Sequence, residues 1–296
     1  MSNTVNYYSK YMNMLDRVNK ANSVFSDLEA SPDSVKFSQE NAQTVYLKKL
    51  SLQGLGDYSR SSGYDSGDMT ISWESHTMAK DRSKKFNLDT LDSKEAMTMM
   101  AEVGAEFERV YVAPEIDAYR VHKICNLCSI DTNADLTYDT VIAAIRTGIQ
   151  TLDEAEVPKE GRILYVSPEV MQLMEDSGEF YKSINVTANN NIIDTQIKGL
   201  NGMIVKQVPK ARFYQEFTFT ASGAGGFAVA SGAEALNFMI VHKPSIIAVK
   251  RYVEIKMIEN KYNADYSGTL FLYRLYHDLF IQENKLDNVY IHKRTT

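Results

Sequence analysis

The stretch LQGLGDYSRSSGYDSGDM (52–69) decides how this chain is read. It holds four glycines, four serines and no proline, the composition of a flexible linker. Its flanks change that reading. VYLKKLSL (45–52) runs into it and TISWESHTM (70–78) runs out of it. In the second run Ile71 and Trp73 alternate with Thr70, Ser72 and Glu74. Period-two alternation is the pattern of a strand. Two strands around a long glycine–serine tip predict a projecting hairpin. A lone two-stranded hairpin is marginal in water, so such an arm makes sense when a neighbouring molecule completes it.

Working outward, residues 1–44 are polar, contain Pro32, and read as an extended arm with a helical piece near Tyr11–Phe25. Beyond the hairpin, AKDRSKKFNLDTLD (79–92) is charged and reads as a link into a helix. Asp92 at the N-cap with Glu95 three residues on is the Asp form of a capping box. Ala96, Met100, Val103, Phe107 and Val110 then recur at helical spacing. Pro114 ends this helix or opens a second segment, since proline fits a first turn and not an interior. Glu115 to Cys125 keeps helical character.

A second unit begins near Asp135. Val141, Ile142, Ile145, Ile149 and Leu152 mark an amphipathic helix after Thr137, a candidate cap. RILYVS (162–167) reads as a buried strand, and Pro168 opens the short helix PEVMQLMED. Asn185–Asn191 is polar loop, MIVKQV (203–208) is a strand, and FTFTASGAGGFAVASG (217–232) is strand, glycine loop, strand. Val249–Met257, Leu270–Ile281 and Val289–His292 are further strands, expected to return to the long helix.

Composition bounds the function. The 296 residues are 44% hydrophobic and 24% charged, an ordinary globular balance with room for about two domains. Net charge is −6, and Lys48, Lys49, Arg82, Lys84, Lys85, Lys250 and Arg251 are interleaved with acids. That pattern belongs to solvated faces and not to a nucleic-acid groove. The N-terminal MSNTVNYYSKYMN has no apolar core of a signal peptide. The most apolar window, Phe238–Val249, is broken by His242, Lys243 and Pro244, short of a membrane span. Two cysteines make no disulfide framework, so a reducing cytoplasm is expected and the sequon at Asn185–Thr187 is idle.

Chemical motifs are few. His122, Cys125, Cys128 and Asp131 stand three apart, a spacing that shares one helix face and would suit a thiol or metal enzyme. Structural zinc sites recruit a second pair, which this chain lacks, and free cysteine is most often a small buried residue. Asp131-x-Asn133-x-Asp135 starts like a calcium loop and fails at Leu136 and Ile142. Gly223, Gly225 and Gly226 precede a strand pattern, so a tight hairpin outweighs a phosphate loop. The five histidines (76, 122, 242, 277, 292) are dispersed. We expect no catalytic, cofactor or metal site, and no enzyme.

The order of parts resembles the major capsid proteins of tailed bacteriophages, which share the HK97-type fold. The matching residues are GDYSRSSGYDSG (56–67), DRSKKFNLDTLDSKE (81–95), ERVYVAPEIDAYR (108–120) and VPKEGRILYVSPEVMQLM (157–174). The resemblance implies an α+β fold. Its parts would be an N-terminal arm (1–44), an extended E-loop hairpin (45–90), a peripheral domain with a spine helix (91–134), a compact axial domain (135–235), and C-terminal strands completing the peripheral domain (236–296). Tyr58, Arg60, Tyr64, Trp73, Arg82, Phe86 and Asp89 would then face neighbouring subunits. Asp92, Glu95, Val103, Phe107, Pro114 and Glu115 would build the spine. The implied function is self-assembly into hexamers and pentamers of an icosahedral shell around double-stranded DNA. A portal and a separate scaffolding protein would be partners, with assembly in the host bacterial cytoplasm and residence in the virion. An encapsulin-like compartment with protein cargo is the alternative on the same fold. Lys and Asn cross-linking occurs in some members, and spacing here selects no pair.

Overall fold

The computed structural model describes residues 23–29, 36–37, 43–61, 63–89, 104–128, 132–177, 197–220, 226–258, 260–262 and 268–295. A short 3-10 turn at Ser26–Leu28 and strand β1 (Lys36–Phe37) precede the hairpin. The hairpin is β2 (Thr44–Leu52) and β3 (Met69–Thr77), paired antiparallel from Thr44 opposite Thr77 to Leu52 opposite Met69. At about 3.4 Å per residue the tip stands roughly 30 Å from the base. That tip is folded. Ser59 and Gly63 exchange backbone hydrogen bonds of 3.1 and 2.8 Å, in a turn that needs the positive φ of Gly63. The rings of Tyr58 and Tyr64 close over it edge to face at 5.2 Å.

The charged stretch 79–92 is not the expected link. Lys80–Asp89 forms β4, which later pairs with a long C-terminal strand. The alternation is present but is carried by charged residues. Arg82, Lys84 and Phe86 turn inward while Asp81, Ser83 and Lys85 are exposed. Long basic side chains lay their stems on apolar surface, so charge concealed the period.

The long helix follows as one rod with three parts: α-helix at 104–107, a π-helical turn at Glu108–Val112, and α1 (Ala113–Leu127). Pro114 therefore neither ends the helix nor opens a separate one. Proline lacks an N–H and its ring crowds the carbonyl four residues back. The wider π turn just ahead of it absorbs that misfit. The capping box of Asp92 and Glu95, the stripe residues Ala96, Met100 and Val103, and most of the helical piece expected at Tyr11–Phe25 lie outside the described residues.

The remaining elements are β5 (Thr132–Asn133), α2 (Val141–Glu154), β6 (Arg162–Val166), α3 (Pro168–Asp176), β7 (Gly199–Leu200), β8 (Met203–Gln207), β9 (Phe217–Phe219), β10 (Phe227–Val229), β11 (Leu236–His242), β12 (Ile246–Ile258), β13 (Gly268–Ile281) and β14 (Val289–Lys293). The N-cap of α2 is Thr140, and Thr137 supplies the carbonyl that Val141 N–H meets. Ser167, at the end of the run read as a strand, caps α3 and accepts from Val170 N–H at 3.2 Å.

Two sheets organise the body. One has the order β5-β14-β11-β6-β8-β7, with β6–β8 and β14–β5 parallel and the other pairs antiparallel. Helices α2 and α3 pack on one face of it, through Ile145, Leu152, Val170 and Met174 against Leu164, Phe238 and Ile240. Gly148 of α2 comes so close to β14 that an added Cβ would lie 2.7 Å from the ring of Tyr290. The opposite face meets α1 through Val121, Ile124 and Cys125. The second sheet has the order β12-β13-β4 and packs its Ile255, Phe271, Tyr273 and Leu275 against Val112 and Ile116 of the rod. The expected cut at residue 235 runs through paired strands. β11 and β14 belong to the first sheet, hydrogen-bonded between β5 and β6. Only β12 and β13 of the C-terminal third form the second. No helix among the described residues is long and apolar enough to cross a membrane.

Candidate assembly surface

The hairpin is anchored at its base and bare beyond it. Val45 and Leu47 are fully buried with Met78, Ile247, Val249, Tyr276 and Phe280. Gln282 donates its Nε2 to the Lys48 carbonyl at 2.8 Å. Lys49 Nζ reaches Glu74 at 2.9 Å and Glu283 at 3.2 Å. Lys49 and Glu74 thus cross the hairpin, and Glu283 ties the pair to the body. The Glu74 carboxyl lies below the usual range, chiefly through its hydrogen bond from Lys49.

Past this collar one face of the hairpin is apolar and open to solvent. Trp73 lies opposite Lys48, Ile71 opposite Leu50, and Met69 opposite Leu52. Leu50, Leu52, Met69, Ile71 and Trp73 are 52, 63, 66, 49 and 43% exposed, and Leu55 at the tip stands wholly in solvent. Contiguous apolar patches of this kind mark interaction sites on soluble chains. Two strands alone cannot cover such a face.

The residues singled out from sequence divide into two groups. Tyr58, Arg60, Tyr64 and Trp73 are on the exposed tip and outer face. Arg82 and Phe86, expected on the same surface, are engaged inside the chain. Arg82 Nε meets Glu115 Oε1 at 2.5 Å, its Nη1 donates to the Thr220 carbonyl at 2.8 Å, and its Nη2 donates to the Gly226 carbonyl at 3.4 Å. It fastens the rod and the base of the β9–β10 hairpin to β4. Phe86 packs on Phe107 with ring centroids 5.1 Å apart. Phe107 also meets Tyr273 at 5.5 Å. Asp89 is the last residue of β4, in register with Gly268. Pro114 and Glu115 lie at the start of α1. Asp92, Glu95 and Val103 fall outside the described residues.

Among the described residues the thiol and metal reading finds no site. Cys125 and Cys128 are buried, and burial pushes both thiols up, Cys128 to about 12. A reactive or metal-binding cysteine needs the opposite shift. His122 is held by structural partners: its Nδ1 accepts from Phe217 N–H at 3.3 Å and its Nε2 faces the Asn126 amide at 3.0 Å. Burial is the main cause that lowers its pKa. Among the described residues no three His, Cys, Asp or Glu side chains are grouped to hold a metal. The glycine loop reads as it did from sequence at its ends, since β9 and β10 pair antiparallel; Gly223 and Gly225 themselves lie outside the described residues.

Sequence reasoning missed the collar of Lys49, Glu74, Gln282 and Glu283. Lys49 and Glu283 are 234 positions apart, and no spacing rule connects them.

No family model matches the chain, and no curated protein matches it. Solved structures do. The capsid of cyanophage P-SCSP1u superposes with a TM-score of 0.62 at 10% identity, over 93% of this chain and 88% of that one. The mature capsid of bacteriophage PhiM1 gives 0.62 at 15% identity, over 87% and 84%. A virus-like particle from Pyrococcus furiosus gives 0.54 at 11% identity, over 97% and 99%. At such identities the likeness establishes the fold. The chain has the α+β fold of these capsid structures, the fold class that its sequence resembled.

Proposed function

We propose that this chain is the major capsid protein of a tailed bacteriophage, which assembles with copies of itself into an icosahedral shell around double-stranded DNA. The observation that supports this reading best is the extent of the shared fold: 93% of this chain against 88% of a phage capsid chain, with no large part of either left over. An open apolar hairpin face is what a subunit stabilised by its neighbours would carry.

In this reading β2 and β3 are the E-loop, the rod ending in α1 is the spine helix, and the β12-β13-β4 sheet is peripheral. The six-stranded sheet is axial. Residues 1–44 form the N-terminal arm. Tyr58, Arg60, Tyr64 and Trp73 contact the next subunit of a hexamer or pentamer. The role is structural and not enzymatic. A portal and a separate scaffolding protein would complete the particle in the host bacterial cytoplasm, and the protein would reside in the virion. The alternative, a compartment for protein cargo on the same fold, has no observation that favours it over the phage shell.

Negative-stain electron microscopy of the purified protein tests the reading. Closed shells, tubes or free hexamers and pentamers are expected, with nucleic acid as the content of filled particles. A monomer that stays monomeric at high concentration and with the scaffolding protein of its own genome would overturn it. Shells filled with one co-purifying enzyme would favour the compartment.

A further inference from the structure

Residues 23–29, Ser-Val-Phe-Ser-Asp-Leu-Glu, touch four separate parts of the body. Phe25 and Leu28 are buried, and the Phe25 ring sits 4.4 Å from that of Tyr165 on β6. Ser23 Oγ donates to Asp117 Oδ1 at 2.5 Å and Val24 N–H donates to Asp117 Oδ2 at 3.1 Å. The Phe25 carbonyl accepts from Arg120 Nη1 at 2.7 Å. Asp27 pairs with Lys206 on β8. Glu29 Oε1 takes Arg120 Nη2 at 3.1 Å and Lys250 Nζ at 2.8 Å, and its backbone bridges Ala248 at the start of β12.

The body is shaped and charged for this segment. Asp117 is wholly buried and offers its two oxygens to the donors of residues 23 and 24. It also holds Arg212 at 3.1 Å, so it stays paired when the segment is away. Arg120 and Lys250 have no such reserve: among the described residues, the acceptors of their charged groups all belong to 23–29. A carboxylate at one end, an aromatic hole in the middle and two cations at the other end form a recognition slot. The nearest of these partners lies 91 positions away in the chain. Contacts within the segment are a single 3-10 turn.

We propose that residues 23–29 are a peptide ligand bound in cis. The body carries a slot for a short turn that buries Phe25 and Leu28 and ends in an acid, and the segment seats and leaves it as one unit while the sheets remain folded. The slot makes no use of the shell reading, and the chain would have it whether or not it builds a shell.

Electrostatics agrees with the geometry. Burial raises the Glu29 pKa, and Lys250 and Arg120 together outweigh that and hold it below its usual value. A depressed carboxylate adds stability above its unfolded pKa and loses it as pH falls through the folded one. The groups around it are Arg120 on α1, Lys250 on β12, the Asp27–Lys206 pair, the Asp117–Arg212 pair, and His277 on β13, which burial keeps neutral down to about pH 3. Seating therefore weakens in acid, below pH 4.5.

Hydrogen exchange read by mass spectrometry on the full chain tests this. Glu29→Gln removes the charge that both cations hold, and Ser23→Ala removes one donor to Asp117. Each is expected to speed exchange of the amides of 24–29 at least tenfold, while those of β6 and β11 keep their rates. A rise shared equally by β6 and β11 would make the segment part of one cooperative core and overturn the proposal. Unchanged exchange at 24–29 in both variants would overturn it too, because the slot would then not recognise these groups.

Discussion

Gly148 shows how closely single residues are fitted. Alanine would be the better helix former, yet its Cβ would meet Tyr290 on β14 at 2.7 Å. We expect Gly148→Ala to destabilise the chain by about 1–3 kcal/mol in denaturant unfolding, since overpacking outweighs propensity. Phe107 was legible from its place in the apolar stripe, and the structure gives it Phe86, Tyr111 and Tyr273 as ring neighbours. It is only part-buried, so Phe107→Ala should cost about 2–3 kcal/mol, less than a fully buried ring. Arg82 and Glu115 were each picked out by resemblance. Their bond to one another was not legible, because a strand and a helix 33 residues apart meet only through the tertiary fold.

Among the elements, those with a clean local signal were found in place. β6 and α3 follow from a run of apolar residues and a proline that opens the helix, and the β2–β3 pairing follows from alternation across the glycine–serine tip. β4 escaped because arginine and lysine occupy its inward positions. The continuity of the rod through Pro114 escaped because a π turn, which has no sequence signature of its own, takes up the proline. Arg82 holds the carbonyls of Thr220 and Gly226, one on each side of the β9–β10 loop. Arg82→Ala should therefore raise amide exchange in Phe217–Phe219 and Phe227–Val229 and leave β2 and β3 unchanged. Equal protection in variant and parent would mean that the strand pairing alone holds this hairpin.

At the scale of the whole molecule, imidazoles shielded from water add to the response to acid. Burial is the first cause that lowers the pKa of His122, His242, His277 and His292, and His277 falls to about 3. Between that value and 6.5 the unfolded chain binds a proton at His277 that the folded chain refuses. The His277 contribution to folding stability then falls as pH drops below 6.5, by up to about 1.4 kcal/mol per pH unit. Urea midpoints measured from pH 7 to pH 4 should decline in the parent and decline less steeply in His277→Gln. Removing the tip Gly54–Gly67 should leave circular dichroism and thermal unfolding near those of the parent while particles vanish from micrographs. An unfolded deletion variant would show that the tip supports its own subunit.

The division of the chain was the least legible feature, since a boundary drawn along the sequence cannot foresee a sheet that gathers its strands from far apart. That sheet also has a consequence in time. Its strand order places β14, residues 289–293, between β5 and β11. A ribosome must release almost three hundred residues before β14 can take its place, second from one edge of the sheet. Nascent chains, with β11 still lacking one neighbour, cannot present a finished body to one another. Synthesis past β14 thus closes the interval in which the otherwise buried strand β11 has an open edge, the interval in which neighbouring nascent chains on a crowded polysome are most exposed to mispairing.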